Sequence, residues 1–412
     1  MSLRPAIRLA RIAVLAVAVA LALSACSSAA PVTQGTGQEA TAPAESSDAA
    51  QPHGYVEGAA ELAEPQQLLA AVDAAGAVRL LDPVTEEVAE LAEIGAVRHL
   101  AHDGRFLAAT TADGVTIVDT GVWTVDHGDH AHYYRAEPRV VGTLALEGEA
   151  GIRSSESTTT VLAGDTVVVL DRDALGQGEV VETARIAGAA PGGFAAPVDA
   201  GTVVAMPDAV AVLGPDGAAR GEEPCADPAG GAVTRVGVVV GCAEGAVLAT
   251  ETDAGVELER IDYPAGTDPA LRATGFDLRP GRATAAAVAG EAGLWLLDTR
   301  ERSWTLIETE DPLVRAVAVD DAEGHVVAID ASGRVLVLDG DGAPVGATGP
   351  VLAASLADRT ASAALALEVD ASRAYVPLAS EGAVLEIDYA DGARIARSLA
   401  IDAPLHLAET GR

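Results

Sequence analysis

The sequence contains no lysine. All 26 of its basic residues are arginine, set against 61 Asp and Glu, and the formal net charge is −35. A phosphate backbone requires the opposite field, so this balance excludes nucleic-acid binding. It keeps the surface soluble and draws cations toward it without selecting among them. Cysteine and methionine are equally scarce, at three and two residues. A thiolate or thioether site of the kind Cu(I) favours therefore lacks donors. Aromatic residues make up only 3% of the chain and histidines number eight, so where these fall is informative.

Long apolar runs are also missing, apart from one at the N-terminus. Arg4, Arg8 and Arg11 precede an apolar stretch from Ile12 to Leu23, followed by Ser24-Ala25-Cys26. The run is short for a membrane span and ends in small residues, which is the pattern of a secretory signal. Leu23-Ser24-Ala25-Cys26 resembles a bacterial lipobox, which implies cleavage before Cys26 and lipid on its sulfur. The expected location is extracytoplasmic, with the lipid as the only membrane attachment. Loss of three leader arginines leaves 23 basic against 61 acidic residues, about −38. Residues 26–52 hold almost no large aliphatic side chains and are expected to form a disordered tether reaching roughly 25–30 Å. The globular part is then 53–412, read as one domain and a monomer. In that compartment Cys225 and Cys242 are expected to pair as a disulfide, the alternative being two buried free thiols.

From Gln66 onward a short apolar run, a Gly/Asp turn and a second apolar run ending in Asp recur, as in Leu68–Asp73 with Ala77–Asp82 and Val326–Asp330 with Val335–Asp339. Runs of four to eight residues between turns read as antiparallel strands. Second strands open near Gln67, Arg105, Thr158, Thr202, Val236, Ala283, Gly324 and Arg373, a period a little over forty residues. That spacing is the signature of an all-β, single β-propeller of eight blades, with seven left open. The passage Val97-Arg98-His99-Leu100-Ala101-His102 resembles the final Pro404-Leu405-His406-Leu407-Ala408-Glu409. The second is expected to be the innermost strand of the first blade, donated by the C-terminus, which removes an open sheet edge. His99 and His406 would then occupy equivalent places on neighbouring strands lining the channel.

The stretch from about 120 to 138 breaks this economy. It lies between two strands of one blade and contains Asp126-His127-Gly128-Asp129-His130-Ala131-His132-Tyr133-Tyr134. Long ordered insertions usually carry function. In extended chain His130 and His132 share a face, and His127 reaches it across a turn. Three imidazoles among carboxylates suit zinc, with nickel or Cu(II) left open, whereas calcium prefers an oxygen cage. The alternative is an exposed polar loop. Asp126 is a further ligand candidate and Asp129 a ligand or orienting group. His99 or His406 would complete the shell if the insertion folds over the channel. His53 and His102 are weaker candidates, and His102 and His325 sit beside turns.

The segments His53-Gly54-Tyr55-Val56-Glu57-Gly58-Ala59 and Asp126–Pro138 resemble AztD-type zinc metallochaperones. That resemblance implies a propeller carrier that hands zinc to the solute-binding protein of an ABC-type zinc importer, with His127, His130 and His132 matching the metal motif. No enzyme activity is expected: there is no Gly-x-Ser-x-Gly elbow, and three tryptophans are too few for the usual quinoprotein pattern. The rivals are a non-catalytic protein-binding propeller at the cell surface and, behind it, a metal-dependent propeller enzyme.

Overall fold

The computed structural model describes residues 56–127 and 130–412, all within a compact unit spanning Pro52–Arg412. The expected leader, Cys26, the tether and His53 lie outside the described residues, as does Asp129. Strands are β1 (Ala60–Leu62), β2 (Leu68–Val72), β3 (Ala77–Leu81), β4 (Val88–Glu93), β5 (His99–His102), β6 (Phe106–Thr110), β7 (Val115–Asp119), β8 (Val122–Asp126), β9 (Ala131–Arg135) and β10 (Arg139–Leu144). Those beyond β10 are given by their residues. The chain is all-β: among the described residues seven sheets are four-stranded and two are three-stranded. Strands begin at Leu68, Phe106, Thr158, Gly201, Val238, Thr284, Val326 and Ala374, each within two residues of the start expected from the repeat.

The run-and-turn pattern has a direct physical basis. Strands β2, β6 and β7 are buried along their whole length because a neighbouring sheet covers each face. Phe106 and Ala108 pack toward Ile152 and Val161, while Leu107 and Ala109, one residue out of phase, pack toward Leu80 and Val97. A strand buried on both faces reads as a continuous apolar run. The outer strand β4 is mostly exposed and carries the acidic residues. The recurring terminal Asp closes the turn that follows. Asp73 Oδ1 accepts from the backbone N–H groups of Ala75, Gly76 and Ala77 at 2.9, 2.9 and 3.0 Å, and Asp330 does the same for Ser332 and Arg334. These are Asx turns, which satisfy N–H groups the ladder leaves open.

The C-terminal strand His406–Thr410 pairs with β2 in antiparallel register, Val72 opposite His406 and Leu68 opposite Thr410. Its last residue is tied down by Arg412 Nη2 donating to Glu368 at 2.7 Å and Nη1 to Glu409 at 2.9 Å. Cys225 and Cys242 are joined by a disulfide, with their Cα atoms 5.2 Å apart. Both are buried in the apolar contact between two sheets. Three short helices, Arg172–Gln177, Ala353–Ala357 and Arg359–Ala363, occupy connections that the sequence reading left without helix. Asp171 and Asp358 cap two of them through their carboxylates.

Candidate metal centre

β7 and β10 are neighbours in one sheet, Val118 opposite Val140, and the chain between them leaves that sheet to form the hairpin β8–β9. The hairpin pairs Trp123 with Tyr134, Val125 with His132 and Asp126 with Ala131. β1 adds a third strand along the outer edge of β9, with Glu61 opposite Tyr134. Directly opposed residues share a face of a sheet, and alternate residues along a strand return to it. One face therefore carries Trp123, Tyr134, His132, His130, His127 and Glu61.

The three histidines converge on that face. Their nearest ligand nitrogens all lie within 4.8 Å of one another, and the backbone N–H of His127 donates to the His130 carbonyl at 2.9 Å across the turn. The Nε2 atoms of His130 and His132 are 3.1 Å apart. Two nitrogens on a tetrahedral zinc, each about 2.0–2.1 Å from the ion, stand roughly 3.3–3.4 Å from each other. The donor set thus fits a borderline divalent cation with little movement. His132 is buried, whereas His127 and His130 are exposed, so the cluster opens to solvent on one side.

Behind His132 stands Glu61. Its Oε1 is 2.7 Å from His132 Nδ1, which leaves Nε2 for the cluster. A carboxylate on the far nitrogen of a ligating imidazole fixes its tautomer and raises its basicity. Glu61 was not among the residues expected from sequence. It sits in a three-residue strand with no repeat of its own, and only the pairing of β1 with β9 brings it diagonally across from His132.

The ring of His132 rests on a stack that reaches into the protein. Tyr134 lies beside it with ring centroids 6.1 Å apart, and Trp123 stacks on Tyr134 at 5.1 Å. The Arg105 guanidinium lies 3.6 Å from the Trp123 centroid and is itself pinned by two bonds to the buried Asp119, at 3.0 and 2.8 Å. Burial, and after it the charge of Glu61, pushes the Tyr134 phenol up, so it stays neutral. Cation–π contact and aromatic stacking of this kind contribute about 1 kcal/mol each where solvent is excluded. The hairpin is anchored further by Thr124 Oγ1 donating to the Gly411 carbonyl at 2.8 Å.

The other expected residues fall elsewhere. Asp126 shares the opposite face with Thr124 and Tyr133 by strand alternation, and is absent from the ligand cluster. Tyr133 lies on that face as well. His99 and His406 do line one cavity together, as the matched strands implied, but the structure does not bring them to the hairpin. The hairpin docks at Gly411, past the end of the C-terminal strand, and His406 begins that strand. Five residues of extended chain separate the two by roughly 16 Å. His102 is held by Glu368, Nε2 to Oε1 at 3.0 Å. His325 bonds Asp321, Nδ1 to Oδ2 at 2.7 Å. Asp321, Glu323 and His325 form a second close group, but Asp321 also accepts the His325 backbone N–H, so this is a closed turn.

No family model matches the sequence, and no curated protein matches it. Solved structures do. Apo AztD from Citrobacter koseri superposes with a TM-score of 0.70 at 18% identity, covering 84% of this chain and 98% of that one. A second crystal structure of Citrobacter koseri AztD gives 0.68 at 17%, with the same coverage. The dihydro-heme d1 dehydrogenase NirN, in complex with DHE, gives 0.52 at 16%, covering 85% of this chain and 76% of that one. At such identities the likeness is one of fold. This chain is similar to AztD, all-β and propeller-like, over nearly the whole length of that protein.

Proposed function

We propose that the protein is an extracytoplasmic zinc carrier of the AztD type, anchored by lipid on Cys26 and built on a closed propeller. Eight sheets supply the blades. In the sixth, the sheet Thr284–Glu308, an isolated bridge between Asp277 and Ala286 stands in for the missing innermost strand. The C-terminal strand completes the first blade. One zinc is held by His127, His130 and His132, with Glu61 orienting His132, and is delivered to the solute-binding protein of a zinc ABC importer. The observation that carries this reading is the convergence of three imidazoles and a backing carboxylate on one face of an inserted hairpin, on a fold similar to AztD. The expected Asp126, His99 and His406 drop out of the ligand set.

An open position on the zinc suits transfer. Two ligands are exposed and near the tip of the hairpin, while the third is buried and braced. A partner that donates its own ligands can replace His127 and His130 in turn before His132 lets go. Among the described residues the close ligand group consists of imidazoles alone, whereas a hydrolase needs a carboxylate base poised beside the ion. The test is a competition titration with a zinc chelator. Wild-type protein is expected to hold one equivalent tightly, and Glu61→Gln to hold one equivalent roughly 10–100-fold more weakly. Equal affinity in the two proteins would remove Glu61 from the account.

A further inference from the structure

A cavity of about 310 Å³ opens between β5, the strands Ala150–Ser154 and Leu313–Ala318, and the C-terminal strand. Its wall includes Arg153 and Arg315. Most buried or half-buried arginines elsewhere are matched by a carboxylate, as Arg105 is by Asp119 and Arg412 by Glu368. Arg153 and Arg315 are not: among the described residues neither has a carboxylate within ion-pair distance. Backbone carbonyls hold them in place instead. Arg153 Nη1 donates to Ile152 at 2.6 Å, and Arg315 donates from Nε to Leu365 at 3.2 Å and from Nη1 to Val314 at 3.0 Å. Among the described residues these carbonyls are their only hydrogen-bond acceptors.

His406 points the same way. It is only 5% exposed, the backbone of Val97 takes one hydrogen bond from its ring, and its Nε2 is buried without a partner. Leaving such a group unsatisfied is costly, and more so when it is charged. Among the described residues the acids nearby form no ion pair with either guanidinium. Glu368 is committed to His102 and Arg412. Asp277 lines the same cavity, but it forms no ion pair with either guanidinium among the described residues. A metal ion would meet two permanently charged guanidiniums, whose fork of donors matches carboxylate or phosphate oxygens.

We propose that this cavity binds a small free oxyanion carrying at least two negative charges, gripped by Arg153 and Arg315 with His406 Nε2 at its edge. The site is separate from the hairpin and does not rest on the zinc reading. It is tested by calorimetric titration of the full mature protein with inorganic phosphate and with malonate, at ionic strength fixed with sodium chloride. One of these is expected to bind at a single site. Arg153→Gln/Arg315→Gln should weaken that binding by more than tenfold, with zinc stoichiometry unchanged. Should the double variant not fold, Arg153→Lys/Arg315→Lys keeps the charge but loses the fork, and is expected to show the same direction of effect. Absence of heat from both oxyanions, or equal binding by folded wild-type and variant proteins, overturns the proposal. So does binding of an acetylated Asp-Asp peptide with no response to either free ion, which would assign the pocket to a protein's carboxylates.

Discussion

Replacing His127, His130 and His132 together by alanine is expected to abolish tight zinc binding while leaving the far-ultraviolet circular dichroism and melting temperature near wild type. The fold gives the reason for both halves. The hairpin is an insertion between β7 and β10, and those strands pair with each other whether or not it is intact. Its own anchor, the stack from Tyr134 through Trp123 to Arg105, uses none of the three imidazoles as a brace. His127 and His130 are exposed, and their loss removes little buried area. The zinc effect should be large, because among the described residues the three imidazoles make up the whole close ligand group. Among the described residues, taking away all three empties the close ligand group. A triple variant that keeps one tight equivalent of zinc would place the metal elsewhere.

Removal of residues 404–412 is expected to leave the protein unfolded or insoluble at 25 °C. The truncation strips the C-terminal strand from β2 along its whole register. It also exposes the edge of Leu68-Leu69-Ala70-Ala71-Val72, every residue of which is buried. Loss of the buried Leu405 and Leu407 costs about 1.5–3 kcal/mol each, and the ladder bonds about 1 kcal/mol apiece. That sum rivals the whole stability of an ordinary domain, about 5–15 kcal/mol. The freed edge is apolar, the kind that pairs with other chains. Sedimentation and circular dichroism check this, and a soluble truncated protein with wild-type melting would show that the C-terminal strand is dispensable.

Much of the architecture was readable because its physics is periodic. Sheets packed on both faces turn strands into continuous apolar runs, and Asx turns end them in Asp, so the spacing of such runs places the strands within two residues. The matched His-Leu-Ala passages form edge strands of two sheets that touch each other. The hairpin histidines stood out because alternation puts His130 and His132 on one face without any knowledge of the partner strands. What the sequence could not place depended on pairing across the chain. Asp126 looks equivalent to its histidine neighbours in sequence, yet the register with Ala131 turns it to the other face. His99 and His406 were correctly placed side by side, but the end of the strand on which the hairpin docks is set by the Thr124 contact to Gly411. Glu61 lay beyond reach, since nothing local marks a three-residue strand as the backing of a histidine seventy residues on.

The central claim is that zinc leaves this hairpin by exchange with a partner and not by simple release. The most direct measurement is the rate of zinc transfer from the loaded protein to a zinc-free solute-binding protein of a zinc importer, followed over a range of acceptor concentrations. The off-rate to a small chelator, obtained in parallel, sets the reference. Stepwise ligand replacement predicts a rate that rises with acceptor concentration, saturates as a complex forms, and exceeds the chelator-measured off-rate. A transfer rate equal to that off-rate at every acceptor concentration would contradict the account and reduce the protein to a passive zinc store.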